Sequence, residues 1–259
     1  MTAWAVAALD LVFPARCPVC AATLGAGRRD PLCGACWDAI PRIAPPLCVR
    51  CGRLVIWSGP PAVASSQKEM GGPDMAPQTP QRVDLTVCGA CAVEPPAFDW
   101  ARAAGLYAGP LRDAVQRLKF GRRPALARPL AALVLEQCAA AVPAGATLVP
   151  VPLARDRERE RGFNQAGLLA ERLARGLGAP TRPRWLARTR ATAPQTALTA
   201  AERQGNVRGA FVASTSAAGA DVVLVDDVLT TGATAGECAR ALHAAGARSV
   251  GVLTVARVS

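Results

Sequence analysis

Histidine is nearly missing from this chain of 259 residues: the one example, His243, falls inside a stretch with helical periodicity. Nucleophilic or general-base catalysis built on histidine therefore has no support. Aromatic residues amount to 4%, thin for a surface that stacks on nucleic-acid bases. Lysine is scarce as well. Among 30 basic residues only Lys68 and Lys119 are lysine, and with 19 acids the formal charge is +11. Arginine forks match phosphate geometry, so the excess favours a polyanionic ligand, either a diphosphate or a nucleic acid. A GC-rich genome also raises arginine and alanine together, and is the plainer source of part of it.

Long apolar runs are absent too. The longest uncharged stretch, residues 137–154, contains Pro143, Pro150 and Pro152, which a spanning helix would not tolerate. The first residues, 1–13, have no basic start, and Asp10 breaks their apolar run, so they do not read as a signal peptide. A soluble, cytoplasmic protein without a membrane span is expected. The length suits one sizeable domain plus a small one, and a hydrophobic content of 51% supports a core.

Cysteine is where the chain is rich. Eight of its ten cysteines fall in four pairs of one spacing, Cys17 with Cys20, Cys33 with Cys36, Cys48 with Cys51, and Cys88 with Cys91. A two-residue gap in a tight knuckle points both thiolates at one metal, and two knuckles complete a tetrahedral Cys₄ site. Two structural zinc sites are expected, paired sequentially: Cys17, Cys20, Cys33 and Cys36 on one, Cys48, Cys51, Cys88 and Cys91 on the other. Interleaved pairing is the alternative. A reducing compartment argues against disulfides. Cys138 and Cys238 stand alone on apolar helical faces and read as small core residues.

The stretch 222–235 carries the chemistry. Four apolar residues, Val222, Val223, Leu224 and Val225, suit a buried parallel strand that ends at two carboxylates, Asp226 and Asp227. Then come Thr230, Thr231, Gly232, Ala233 and Thr234, and a helical pattern through Cys238, Ala241, Leu242 and Ala245. Such a loop aims backbone N–H groups and a helix N-terminus at one point, which suits a phosphate monoester. Gly232 lets the backbone approach a ligand closely. Adjacent carboxylates are acceptor-only partners for vicinal hydroxyls, and a ribose 5-phosphate has both features. No Gly-Lys-Ser/Thr follows and the glycine spacing is not that of a dinucleotide fingerprint. The plainer alternative, a capped helix with solvated acids, explains one carboxylate and not two.

The remaining pattern alternates strands and helices, which implies an α/β fold with a parallel twisted sheet and helices on both faces. Strands are expected at 103–108, 148–152, 182–188, 207–213 and 249–256, and helices at 110–120 and 124–140. Residues 154–161 read as a loop in which Arg155, Arg157, Arg159 and Arg161 alternate with acids, after which Asn164 caps a helix. Alternating charge is usually a solvated face, but this run follows a core strand, where ligands bind in open sheets. Residues 57–87 read as a mobile insert between knuckles, and 189–206 as an irregular segment able to fold over a site as a lid. Arg112, Arg117, Lys119, Arg122, Arg123 and Arg128 give the first helices a basic side, and the first five of them form the surface expected to take single-stranded DNA. The expected division is a double zinc ribbon over 1–97 and a second domain over 98–259.

The stretch 222–235 resembles the phosphoribosyl diphosphate (PRPP) motif of type I phosphoribosyltransferases. Together with LDLVFPARCPVC, the knuckles, YAGPLRDAVQRLKF, VPVPL and RGFNQA, it makes nearly the whole chain similar to the ComF family of competence-associated proteins. The resemblance implies that Asp226 and Asp227 hold the ribose hydroxyls and that Thr230, Thr231, Gly232, Ala233 and Thr234 wrap the 5-phosphate. It further implies that Arg157 and Arg161 lie near the diphosphate, that magnesium arrives with PRPP, and that single-stranded DNA and competence-machinery proteins are partners. Phosphoribosyl transfer is the first functional reading; a nucleic-acid-binding module, or a PRPP sensor without turnover, are the others.

Overall fold

Near-continuous apolar runs at 222–225 and 250–255 demand burial on both faces, and they become the two central strands. The computed structural model describes residues 15–25, 31–55, 86–190, 205 and 207–258. Among these the strands are β1 (Trp100–Leu106), β2 (Thr147–Pro150), β3 (Leu186–Arg188), β4 (Phe211–Ala213), β5 (Asp221–Leu229) and β6 (Ser249–Arg257). The helices are α1 (Gly34–Asp38), α2 (Gly89–Val93), α3 (Gly109–Lys119), α4 (Ala127–Cys138), α5 (Arg155–Arg161), α6 (Gln165–Leu177) and α7 (Ala233–Ala244). Four strands pair in parallel in the order β1-β6-β5-β2. Val223, Val225, Leu253 and Val255 face α3, α4 and α6, whereas Val222, Leu224, Val250 and Val252 face α7. The α/β sheet with helices on both faces is therefore present.

Four expectations change. Residues 182–188 and 207–213 supply only the short strands β3 and β4, which pair antiparallel in a sheet of their own. Pro183 opens a 3-10 turn before β3 and Gly209 takes φ +67 before β4, so neither run can extend. Residues 155–161 are a helix rather than a loop. Asp156 and Glu158 lie in its first turn and Arg159 and Arg161 in its last, the arrangement a helix dipole favours. Residues 124–140 keep an α-helical centre with 3-10 turns at both ends. Finally, β5 does not stop at its carboxylates but continues to Leu229, with Val228 and Leu229 still in register with Ala256 and Arg257. The insert lies outside the described residues over 56–85, as does most of the lid segment, 191–204 and 206.

The cysteines cluster as the sequential pairing requires, Cys17, Cys20, Cys33 and Cys36 in one set and Cys48, Cys51, Cys88 and Cys91 in the other. Sulfur separations of 3.9 Å (Cys17 to Cys36), 3.5 Å (Cys20 to Cys33) and 3.7 Å (Cys51 to Cys88) are close to the ~3.8 Å edge of a sulfur tetrahedron with ~2.3 Å zinc bonds. They are far from the ~2.05 Å of a disulfide. Each set joins a hairpin knuckle to one that begins a short helix, α1 or α2. The link between the sets runs along β1: Leu106 N donates to Pro41 O at 2.8 Å, Ile43 N to Ala104 O at 3.2 Å and Ala101 N to Arg50 O at 2.6 Å. An otherwise open sheet edge is thereby covered. Cys138 and Cys238 are buried in the two cores, as expected.

Candidate functional site

The carboxyl ends of β1, β2, β5 and β6 open on a cavity of about 460 Å³. After β2 the backbone turns at Pro152 and enters α5, where Arg157 and Arg161 are four residues apart. That spacing puts both on one helix face, and both line the cavity together with Glu160. The opposite face is solvated, with Arg159 paired to Asp156 at 3.2 Å in the open. The alternating run is thus partly site and partly surface.

The RGFNQ segment is a joint between helices. Gly162 ends α5 in the left-handed conformation at φ +81, and Asn164 starts α6 by accepting from Ala166 N at 3.0 Å. Asn164 Nδ2 also donates to Val151 O at 3.1 Å, tying both helices to the end of β2. Gln165 Oε1 accepts from Arg161 Nη1 at 2.9 Å, and Arg161 lies over the Phe120 ring at 4.9 Å. The arginine is held from two sides and aimed at the cavity.

Asp226 and Asp227 both line this cavity, as do Thr230, Gly232, Ala233 and Thr234. Thr231 does not. It lines a second cavity, of about 430 Å³, between the loop and the second zinc ribbon, and its Oγ1 accepts from Ala233 N at 3.4 Å. Neither carboxylate caps α7, whose N-cap is Gly232 at φ +83. That backbone angle is a reason for glycine besides close approach to a ligand.

The two acids differ. Asp227 is 3% exposed, and its Oδ1 lies 2.9 Å from Lys119 Nζ, while its Oδ2 is buried without a hydrogen-bond partner among the described residues. Asp226 is half-buried and opens on the cavity, its Oδ1 accepting from Asp227 N at 2.8 Å. Burial pushes Asp226 up to about 7, and the Asp227 charge pushes the same way while Lys119 opposes it. Burial also weakens Lys119 as a cation, but Asp227 and Asp226 outweigh this and hold its ammonium above the ordinary value. Burial lowers Arg161 and Arg188, and the nearby Arg157 charge lowers both further.

Lys119, Arg188, Gln165 and Phe120 also line the cavity. The sequence places Lys119 on the DNA-facing basic side, but its side chain is 19% exposed and paired with Asp227; the other three are not singled out by sequence. The signal available is the rarity of lysine: a chain that uses arginine for nearly every cation places a lysine at the end of α3. The sole histidine lines neither cavity, sitting 3.6 Å from Asp99 at the end of α7.

A double zinc ribbon domain matches residues 8–92 and a phosphoribosyl transferase domain matches residues 161–259. With the two four-cysteine sets, the first match makes these structural zinc sites. The DNA utilization protein YhgH of Escherichia coli K12 is 39% identical over 175 residues, covering 66% of this chain and 77% of the relative. Competence protein F of Haemophilus influenzae is 34% identical over 178 residues, covering 66% and 78%. Competence protein ComFC of Bacillus subtilis is 41% identical over 111 residues, covering 42% and 44%.

Proposed function

Since this chain belongs to the ComF family of competence-associated proteins, which join a double zinc ribbon to a phosphoribosyl transferase domain, we propose that its cavity binds PRPP or a ribose 5-phosphate. The observation that carries the reading is the convergence of Asp226, Asp227 and the 230–234 loop on one cavity with Arg157 and Arg161. The 5-phosphate lies against the loop and the N-terminus of α7, where backbone N–H groups converge. The ribose hydroxyls meet the carboxylates, and the diphosphate meets the arginines of α5, whose planar forks suit it. Residues 1–97 and 98–259 act as the ribbon and the ligand-binding units of a cytoplasmic protein.

Magnesium fits the donors present, because Asp226 opens on the cavity and Asp227 Oδ2 is a buried oxygen without a partner among the described residues. Bound there, it would help offset the diphosphate charge. The chain's own contribution to transfer is positional and electrostatic: it fixes the ribose, receives negative charge on arginine and shelters C1 from water. The names of the relatives and the exposed arginines of α3 extend the reading to the handling of single-stranded DNA. No helix among the described residues is long and apolar enough to cross a membrane.

Titration calorimetry with PRPP tests the site. The Asp226→Asn/Asp227→Asn double variant should bind at least about tenfold more weakly, since charged hydrogen bonds contribute about 1.5–3 kcal/mol each; equal binding refutes the reading. Turnover of labelled PRPP with a panel of bases separates transferase from sensor.

A further inference from the structure

The ribose end of the cavity already contains a cation. Lys119 is the last residue of α3, an element outside the 222–235 motif, and its Nζ lies 2.9 Å from Asp227 Oδ1. Its side chain is 19% exposed and that of Asp227 is 5% exposed, so the pair is largely shielded from water. Burying an ammonium beside two carboxylates is costly unless each charge has its partner. Asp227 has that partner in Lys119, while Asp226 opens on the ligand space.

We propose that Lys119 is the resident counter-ion of the ribose-binding carboxylates, so that a ribose 5-phosphate binds here without a divalent cation. The inference rests on the ribose-phosphate reading above. An ammonium has three donors and no acceptor. With one donor on Asp227, the remaining donors of Lys119 are available to a ribose hydroxyl oxygen, whose O–H in turn donates a hydrogen bond to Asp226. Each ribose hydroxyl is both donor and acceptor, and a Lys–Asp group matches both roles where two carboxylates alone match one. The ammonium offsets one carboxylate charge, which removes much of the electrostatic demand for a metal. Arginine would not serve as well. Its guanidinium is larger and planar, whereas this position takes a compact point charge between α3 and β5. Lys119 is a ligand-positioning group, and the diphosphate of PRPP, lying toward Arg157 and Arg161, still recruits its own magnesium.

The experiment is calorimetry of the full-length, zinc-loaded protein with ribose 5-phosphate, in chelator and in millimolar magnesium. Wild type should bind with affinities within about threefold in the two buffers, and Lys119→Met should bind at least about tenfold more weakly in chelator and recover most of this in magnesium. The metal dependence is the readout that a merely structural role for Lys119 would leave unmoved. Binding by wild type only in magnesium overturns this inference and leaves the ribose-phosphate reading standing. No binding in either buffer overturns both. Equal behaviour of Lys119→Met and wild type also overturns it. If Lys119→Met proves unfolded by circular dichroism, the wild-type pair of titrations decides alone.

Discussion

After the hairpin knuckle of the first ribbon comes Ala21, at φ 60; after that of the second comes Gly52, at φ 68. The backbone needs the same left-handed turn in both, but Ala21 is exposed, whereas a Cβ on Gly52 would lie 2.4 Å from Ala101 O. At this turn the second ribbon is pressed onto the sheet and the first has room. The first packs Cys17, Leu32, Cys36 and Ile40 into the core of α3 and α4, with Arg42 paired to Glu136 at 3.2 Å. The second packs Cys48, Cys51 and Cys91 on the face of α7, and Arg257 at the end of β6 donates from Nη1 to Cys51 O. Arg257 is 5% exposed, has no ion pair among the described residues, and pairs in register with Leu229 just before the phosphate loop. Burial lowers Arg257 as a cation, and Cys51 acts against this. Two ribbons of one plan therefore stand in different relations to the candidate site: the second shares a cavity wall with the loop, the first supports the helix that carries Lys119 and the exposed arginines.

The comparison breaks most sharply by removing one metal at a time. Structural zinc carries an apparent ~10–16 kcal/mol of folding free energy in finger peptides, so Cys33→Ser and Cys91→Ser should each lose one zinc per chain by metal analysis. Cys91→Ser should also weaken ribose 5-phosphate binding by about tenfold, whereas Cys33→Ser should change it by less than about threefold. Equal losses would show that the ribbons are equivalent supports.

Arg257→Met asks how much of the second ribbon's hold is this one side chain. A buried hydrogen bond from a charged donor contributes about 1.5–3 kcal/mol, so denaturant midpoints should fall by that order while both zincs stay bound. An unchanged midpoint would mean that the close approach at Gly52 and the bond from Ala101 N to Arg50 O already suffice.

Asp226 provides a control that involves neither ribbon. Its carboxyl is raised to about 7 by burial and by Asp227, against Lys119, and Arg161 and Arg188 also feel its charge. Between an ordinary carboxyl value near ~4 and that raised value, the folded chain holds a proton that the unfolded chain lacks. Stability of the ligand-free protein from this group is therefore greatest at acid pH and falls as pH rises toward 7. Asp226→Asn removes the effect and should gain stability relative to wild type by on the order of 2 kcal/mol between pH 5 and pH 8. Melting curves that stay parallel across that range would contradict it.

The smallest effect is expected on DNA. Arg112 and Arg117 are exposed on α3. Arg122 is less suitable than its sequence neighbourhood implies, because its Nη2 donates to Glu160 O at 2.6 Å and Glu160 lines the cavity. Arg112→Glu/Arg117→Glu should lower single-stranded DNA affinity and flatten its salt slope by about 0.7 for each phosphate that is no longer neutralised. Ribose 5-phosphate binding should not move. Fluorescence anisotropy over a salt series reads this, and an unchanged slope favours a diffuse surface set by genome composition.

Much of this protein is legible in one dimension, wherever chemistry depends on neighbours along the chain. The Cys-x-x-Cys gap places two thiolates on one metal by local geometry alone, and the two sets form in sequential order. Apolar runs at 222–225 and 249–256 mark the central strands, because a strand buried on both faces has no polar face to show. Asn164 as a cap is equally local. Tertiary structure decided the rest. Where β5 ends depends on its ladder with β6, which carries the strand three residues past Asp226. The charged run 155–161 becomes a helix with a site face and a solvent face only once it is set beside β2 and Phe120. Lys119 lies 108 residues before Asp227 in the chain, and no local pattern joins them; a long-range ion pair exists only when packing brings α3 over the end of β5.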